Sequence, residues 1–203
     1  MFKQFFARRN RKKLSDEHYA FLFEPSFEDE VVVFDTETTG LNPKKDEILS
    51  IGAVILKGNK ILTSQKFELF VKPTKDINEE SIKIHQIRNI DLQNGCDAKD
   101  AITQFLHFIG GRPLVGYYIE FDVKMINKYV KPMLGISLPN PQIEVSGIYH
   151  DKKIKRIPDG TIDLRFDVIM KDLGLPIFGK HDALNDAVMT AMMYLKLQNI
   201  SKI

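Results

Sequence analysis

The 203-residue sequence contains no tryptophan and a single cysteine, Cys96. One cysteine excludes an intrachain disulfide framework and a zinc site built from cysteines. No apolar run approaches the roughly 18 residues that a membrane-spanning helix needs. The N-terminus also lacks the apolar segment of a signal peptide. We therefore expect a cytoplasmic protein with no transmembrane segment.

Acidic residues are missing from the first 13 positions, which carry six basic side chains. The whole chain has a net charge of +2, so residues 14–203 together carry −4. A basic tail of this kind can bind nucleic acid, an anionic membrane surface or an acidic protein partner. The alternative is a solvated terminus that binds nothing.

The rest of the chain has the composition of a globular domain, with 43% hydrophobic and 28% charged residues. We expect a basic tail and lead-in segment at 1–29, which includes a short helix, and one domain at 30–203. Hydrophobic periodicity predicts the elements of this domain. The predicted strands are 31–34, 48–56, 61–71, 114–115 and 161–163, and the predicted helices are 98–109, 121–133, 164–174 and 183–195.

A tight hairpin turn is predicted at residues 57–60, where glycine and asparagine accept positive φ. Residues 135–160 show little periodicity and are predicted to be irregular. Strands that come first and then alternate with helices indicate an α/β domain with a mixed sheet.

Two carboxylates follow the first predicted strand directly. Residues two apart on a strand point to the same face, so Asp35 and Glu37 project together from a buried strand end. Their repulsion and desolvation would be relieved by a cation, and hard oxygen ligands favour Mg²⁺ or Mn²⁺ over zinc. The alternative is an ordinary acidic turn.

Further candidates lie at the starts of two predicted helices. Asp122 begins one of them, where the helix dipole also favours an acid without any ligand. Asp186 lies among the core-facing positions of the last helix, where a carboxylate needs a partner. His181 can join the same site only from the loop before that helix, with Asp182 as its N-cap. The alternative for His181 is a surface or packing role.

Three segments occur in a fixed order: FDTETTGL at 34–41, the stretch 116–122 that ends in EFD, and HDALNDA at 181–187. Together they resemble the motifs of the DEDDh 3′–5′ exonucleases, which include the proofreading epsilon subunit of bacterial DNA polymerase III. The resemblance covers about residues 30–198.

This resemblance implies a ribonuclease-H-like fold, a mixed five-stranded sheet flanked by helices. It also implies two divalent ions, Mg²⁺ or Mn²⁺, and His181 as the general base. The implied metal ligands are Asp35, Glu37, Asp122 and Asp186. In this mechanism His181 takes a proton from water, which attacks the terminal phosphodiester and releases a nucleoside 5′-monophosphate. A polymerase or another protein is the partner expected for the basic tail.

Substrate contacts are predicted around the motifs. Backbone at Thr38, Thr39 and Gly40 is expected to meet the terminal sugar, and Leu41 to wedge against the last base. Plain loop packing is the alternative for Leu41. His85 resembles a histidine of the family's loop, although the glycine that usually follows it is Gln86 here.

The second motif departs from the family at one place. The family often has a His-Asn pair after the glycine, and this chain has Tyr117-Tyr118. The two tyrosines are expected either to stack on bases or to belong to the core.

Three functions remain open on the sequence. We expect the 3′ ends of nucleic acid, single-stranded DNA in particular, to be the substrate. An enzyme that trims RNA would use the same site, since discrimination depends on contacts to the 2′-hydroxyl. A nucleic-acid-binding module that no longer cleaves would have lost one of the acids or the histidine, and none is lost.

Overall fold

A computed structural model describes residues 10–24, 29–75, 77, 79–155, 160–179 and 181–199. Its five strands form one sheet in the order β3-β2-β1-β4-β5. β1 to β3 are consecutive antiparallel neighbours, whereas β4 pairs parallel to β1 and β5 parallel to β4. The strands are β1 Glu30–Thr38, β2 Ile48–Lys57, β3 Lys60–Phe70, β4 Leu114–Gly116 and β5 Gln142–Glu144. The predicted mixed five-stranded sheet is confirmed.

Helices cover both faces of the sheet. A 3-10 helix at Glu17–Phe23 precedes the α-helices, which are α1 Glu79–His85, α2 Ala98–Ile109, α3 Ile119–Leu134, α4 Val145–Ile154, α5 Phe166–Asp172 and α6 Ala183–Asn199. Side chains alternate along β1, so Val32 and Phe34 pack against α2 and α3 while Val33 packs against α4 to α6. None of the described helices is long and apolar enough to cross a membrane.

The predicted hairpin turn lies where expected. β2 ends at Lys57 and β3 begins at Lys60, so Gly58 and Asn59 form a two-residue loop. Gly58 has φ +54°, a left-handed conformation that glycine adopts without a steric penalty.

The fifth strand was predicted in the wrong place. Residues 161–163 form no strand, and β5 with α4 lies in the stretch expected to be irregular. β5 has only three residues, and it pairs with β4 through the register Leu114 with Gln142. A strand this short shows no periodicity, so its existence depends on the neighbouring strand.

The lead-in segment packs on the domain. Leu14 and Leu22 are buried in the core between the sheet and α2 and α3. A Cβ on Gly111 would overlap the carbonyl of Glu24, so the segment passes closer there than any other residue would allow. The boundary between residues 29 and 30 stays a prediction, and residues 1–9 of the basic tail lie outside the described residues.

Candidate active site

The end of β1 supplies two of the predicted acids. Glu37 is 9% exposed and Asp35 is partly buried, and both side chains project on the face opposite Thr36. Thr36 is also buried, on the face that packs against α3. The end of the strand therefore carries polar side chains on both faces.

Asp122 comes to the site from the first turn of α3 and is 4% exposed. The Thr36 hydroxyl donates a 2.6 Å hydrogen bond to Asp122 Oδ1. This bond ties the start of α3 to the end of β1 and fixes the orientation of the carboxylate. Thr36 was not singled out in the sequence, because a threonine inside a strand is ordinary there.

His181 and Asp186 come from the loop before α6 and from its first turn. The Asn185 N–H donates to Asp182 Oδ1 at 2.9 Å, so Asp182 caps the helix as predicted. His181 precedes the helix with φ +61°, and its backbone N–H donates to Asp186 Oδ2 at 3.1 Å. A non-glycine residue in this conformation is strained, and such strain clusters at functional sites.

A glycine of β2 lets α6 reach the sheet. Gly52 pairs with Asp35 in the β1–β2 register, and a Cβ there would overlap the backbone at Ala183 and Leu184. The missing side chain brings the start of α6, and with it Asp186, down beside Asp35.

The four predicted acids, which we call the acid cluster, meet at this edge of the sheet. One ligand atom each from Glu37, His181 and Asp186 lies within 4.8 Å of the other two. Burial, followed by repulsion from Asp122, Glu37 and Asp186, raises the pKa of Asp35 well above its usual range. The structure thus brings Asp35, Glu37, Asp122, Asp186 and His181 into one group.

The pKa values of two other acids in the cluster, Glu37 and Asp122, are also raised. Burial raises the pKa of Glu37 to about 7, with repulsion from Asp186 and Asp122 adding to it. Burial raises the pKa of Asp122 to about 7, even though the bond from Thr36 acts in the opposite direction. Within the described part of the chain, Asp35, Glu37 and Asp122 form no ion pair.

This donor set fits a hard divalent cation. Carboxylate oxygens are the ligands that Mg²⁺ and Mn²⁺ prefer, and a cation here would offset the mutual repulsion. The imidazole of His181 lies at the edge of the same group, exposed to solvent.

The loop after β1 presents Leu41 to solvent, with 85% of the residue exposed. Thr38 Oγ1 donates to the carbonyl of Gly40 at 2.8 Å, and the Asp46 carboxylate accepts from the Asn42 N–H at 2.7 Å. These bonds hold the loop in place, and the exposed Leu41 side chain does not pack in it, while its role as a wedge stays a prediction. The role of Asp46 in holding this loop was not predicted, because an acid in a charged loop has no distinctive spacing.

His85 is 3% exposed and borders a cavity of about 360 Å³ together with His181. Its Nδ1 accepts from the Ile87 N–H at 3.0 Å, so Nε2 carries the proton of the neutral ring. Burial, with a smaller effect of His181, lowers the pKa of His85 and favours this neutral form. Nε2 has no hydrogen-bond partner among the described residues.

The two tyrosines have different surroundings. The Tyr117 hydroxyl donates to the Leu164 carbonyl at 2.7 Å, and its ring meets Phe166 edge to face. This geometry favours the core interpretation for Tyr117. Tyr118 is 55% exposed and remains open to a ligand.

Comparison with known proteins agrees with this geometry. The family model RNase_T, described as Exonuclease, matches residues 32–194. The DNA polymerase III epsilon subunit of Aquifex aeolicus is 31% identical over 166 residues, which cover 82% of this chain and 79% of that protein. A PolC-type DNA polymerase III of Thermotoga maritima is 30% identical over 171 residues, which cover 84% of this chain. The chain spans only 12% of the length of that PolC-type relative.

A solved structure has the same fold. E. coli exonuclease I in complex with a dA16 oligonucleotide matches with a TM-score of 0.73 at 15% identity, over 86% of this chain and 42% of that chain. At this identity the likeness concerns the fold, and it confirms the predicted ribonuclease-H-like architecture.

Proposed function

Since the chain belongs to the exonuclease family described by RNase_T, we propose that it is a metal-dependent 3′–5′ exonuclease. Its proposed substrate is the 3′ end of single-stranded DNA, from which it releases nucleoside 5′-monophosphates. The observation that carries the proposal is the meeting of the acid cluster with His181 at one sheet edge. The DNA oligonucleotide bound by exonuclease I supports the choice of substrate.

The acid cluster is the proposed site of two divalent ions, Mg²⁺ or Mn²⁺. Bound there, such ions supply charge stabilisation for the displaced oxygen and a more acidic water. The chain's own part is positional: Thr36 orients Asp122, and Asp186 fixes the backbone of His181. The imidazole of His181 accepts the proton of the attacking water, a role that typically contributes about 10²–10⁴-fold.

The substrate end is proposed to lie between the loop after β1 and the cavity that His85 and His181 border. The buried Nε2–H of His85 is a donor with no partner among the residues that the structure describes, and it suits a sugar or phosphate oxygen. Backbone at Thr38, Thr39 and Gly40 is proposed to contact the terminal sugar, and exposed Leu41 to separate the last base from its neighbour.

The direct test is hydrolysis of matched single- and double-stranded DNA and RNA oligomers with Mg²⁺, Mn²⁺ or EDTA. We expect shortening from the 3′ end with release of mononucleotides, fastest on single-stranded DNA. Asp35→Ala should abolish cleavage, whereas Asp100→Ala, at an exposed aspartate of α2, should not change the rate. Wild-type rates in Asp35→Ala would remove the site assignment.

The RNA arm of the same test decides the alternative of an RNA-trimming enzyme. Faster degradation of RNA would assign the same site to exoribonuclease activity. Binding without cleavage of any oligomer would leave a nucleic-acid-binding module. The likeness to polymerase III proteins supports a polymerase as the protein partner, and co-purification with the host polymerase tests this.

A further inference from the structure

A second cavity borders the start of α3, and apart from Leu41 its lining has no part in the mechanism above. It measures about 780 Å³, within the roughly 300–1,000 Å³ of ligand-binding pockets. It runs along the start of α3, just before Asp122, and reaches the loop that follows β1. Its lining includes Leu41, Pro43, Tyr118, Phe121, Lys124 and Leu164, and we call it the Tyr118 groove.

Tyr118 has an unusual backbone in this groove. It precedes α3 in the left-handed conformation, with φ +54° and ψ +38°. An L-residue other than glycine, asparagine or aspartate rarely adopts this conformation, because its Cβ approaches the carbonyl oxygen. Retaining an exposed tyrosine there costs free energy, which points to a use for the ring.

A carboxylate from the neighbouring strand holds this conformation. Glu144, at the end of β5, accepts from the Tyr118 N–H at 3.1 Å and from the Ile119 N–H at 2.9 Å. In the first turn of α3 the Ile119 N–H is therefore bonded to Glu144, and the Phe121 N–H donates to the Tyr118 carbonyl at 2.9 Å, which leaves little for an anion to bind. Phosphate binding is thus a poor explanation for the groove.

The charges along the groove lead to the same conclusion. Lys124 forms a 2.8 Å ion pair with Glu120 one helical turn before it, so it is not a free cation. Leu41, Pro43, Phe121 and Leu164 give the groove apolar surface beside polar Gln142, Ser146 and His150, and the Tyr118 ring packs against the Tyr117 ring with centroids 4.5 Å apart. Tyr117 is in turn anchored to Leu164. A surface of this mixed kind suits a nucleobase, which has apolar faces and hydrogen-bonding edges.

We propose that the Tyr118 groove binds the base of a nucleotide that precedes the 3′-terminal one, stacked on the Tyr118 ring. This inference rests on the proposed function, because the strand must leave the acid cluster past Leu41 to reach the groove. A single strand can turn its base into the groove, whereas a paired base cannot without unstacking. The groove thereby selects single-stranded ends.

The test is a binding cycle with 5′-labelled single-stranded 12-mers in Ca²⁺, read by fluorescence anisotropy. An abasic site is moved through the three positions before the 3′-terminal nucleotide. Tyr118→Asn removes the ring but retains a residue that tolerates the left-handed conformation. Tyr118→Phe retains the ring and serves as the matched control.

In the wild type and in Tyr118→Phe, one abasic position should weaken binding by about 5- to 100-fold, the range of one base–aromatic stack. In Tyr118→Asn the intact oligomer should bind that much more weakly, and the same abasic position should then have no further effect. Equal abasic penalties in all three proteins, or no penalty in the wild type, would overturn the proposal.

These outcomes are separate from the proposed activity. Hydrolysis of the intact oligomer by the wild type in Mg²⁺ tests the exonuclease function, whatever the cycle shows. Retained hydrolysis without coupling at Tyr118 would reject the groove only. Coupling between Tyr118 and one abasic position without any hydrolysis would support base binding in the groove and reject the proposed nuclease activity.

Discussion

Glu37 and Asp122 bind their protons more tightly in the folded chain than in the unfolded one, because burial raises both pKa values to about 7. A carboxyl of this kind stabilises the fold while it is protonated and loses that contribution as it ionises. Without divalent metal, the free energy of unfolding should therefore fall between about pH 4 and 7, by a few kcal/mol. Urea unfolding in EDTA at four pH values in this range measures it.

Glu37→Gln is the matched control for that pH dependence, since it retains the shape of the side chain and removes one ionisation. We expect a shallower fall for this variant than for the wild type. Mg²⁺ or Mn²⁺ added at pH 8 should restore about 2.7 kcal/mol when present at 100 times its dissociation constant. A free energy of unfolding that rises with pH in EDTA would contradict the pKa directions.

Replacing His181 tests whether this residue acts as the general base or as a metal ligand. His181→Ala should lower the rate by about 10²–10⁴-fold, because the water loses its proton acceptor. Calorimetric titration with Mn²⁺ should give the same affinity as the wild type. Since His181 lies within 4.8 Å of Glu37 and Asp186 ligand atoms, a large loss of affinity would make it a ligand and end its assignment as base.

At the scale of elements, the approach of α6 to β2 depends on Gly52. A Cβ there would overlap the backbone at Ala183 and Leu184, which no side-chain rotation can relieve. Gly52→Ala should destabilise the fold by about 3 kcal/mol or more and move Asp186 away from Asp35. Thermal unfolding measures the first effect, and Mn²⁺ affinity measures the second.

The control for Gly52→Ala is another glycine-to-alanine change with room for the methyl group. Gly147 lies inside α4, where a Cβ would meet Glu144 Cγ at an ordinary 3.6 Å. Gly147→Ala should leave stability unchanged or raise it by about 0.5–1 kcal/mol. Equal changes in stability for Gly52→Ala and Gly147→Ala would show that Gly52 is not needed for the close packing of α6 on β2.

Some of the strands and helices could be predicted from the sequence, and others could not. β1, β2 and β3 were predicted because long apolar runs and a Gly-Asn turn are local signals. β5 and α4 were missed, since a three-residue strand gains its stability from pairing with β4 rather than from its own pattern. The strand predicted at 161–163 had suitable residues, but β5 takes the place beside β4 that the predicted fifth strand would have filled.

For the whole molecule, the basic tail is the feature with the clearest test. Residues 10–24 pack on the domain, with Asn10 Nδ2 donating to the Ser137 carbonyl at 3.0 Å, so a truncation should stop at residue 9. Removing Lys3, Arg8 and Arg9 should weaken oligonucleotide binding at low salt. The slope of log affinity against log salt should flatten by up to about 0.7 per lost charge.

Turnover at saturating substrate should be unchanged in the truncated protein, because no member of the acid cluster lies there. Replacement of Phe2, Phe5 and Phe6 by alanine is the matched control, since it retains all the charges. Identical salt slopes for the full-length and truncated proteins would leave the tail as a dock for a protein partner or a membrane surface.

The sequence by itself determined which residues form the candidate site and in which order the main strands and helices occur. Asp35 and Glu37 share a strand face, and Asp122 and Asp186 begin helices, because these relations extend over only a few residues. Local periodicity and capping preferences act within one element, so they can be read directly from the chain.

Only the tertiary structure decided how these parts meet. The bond from Thr36 to Asp122 joins residues 86 positions apart, and Glu144 holds Tyr118 from another strand. The raised pKa values of Asp35 and Glu37 depend on burial and on neighbours from three different elements. Interactions of this kind depend on distances in space, which no local pattern of residues encodes.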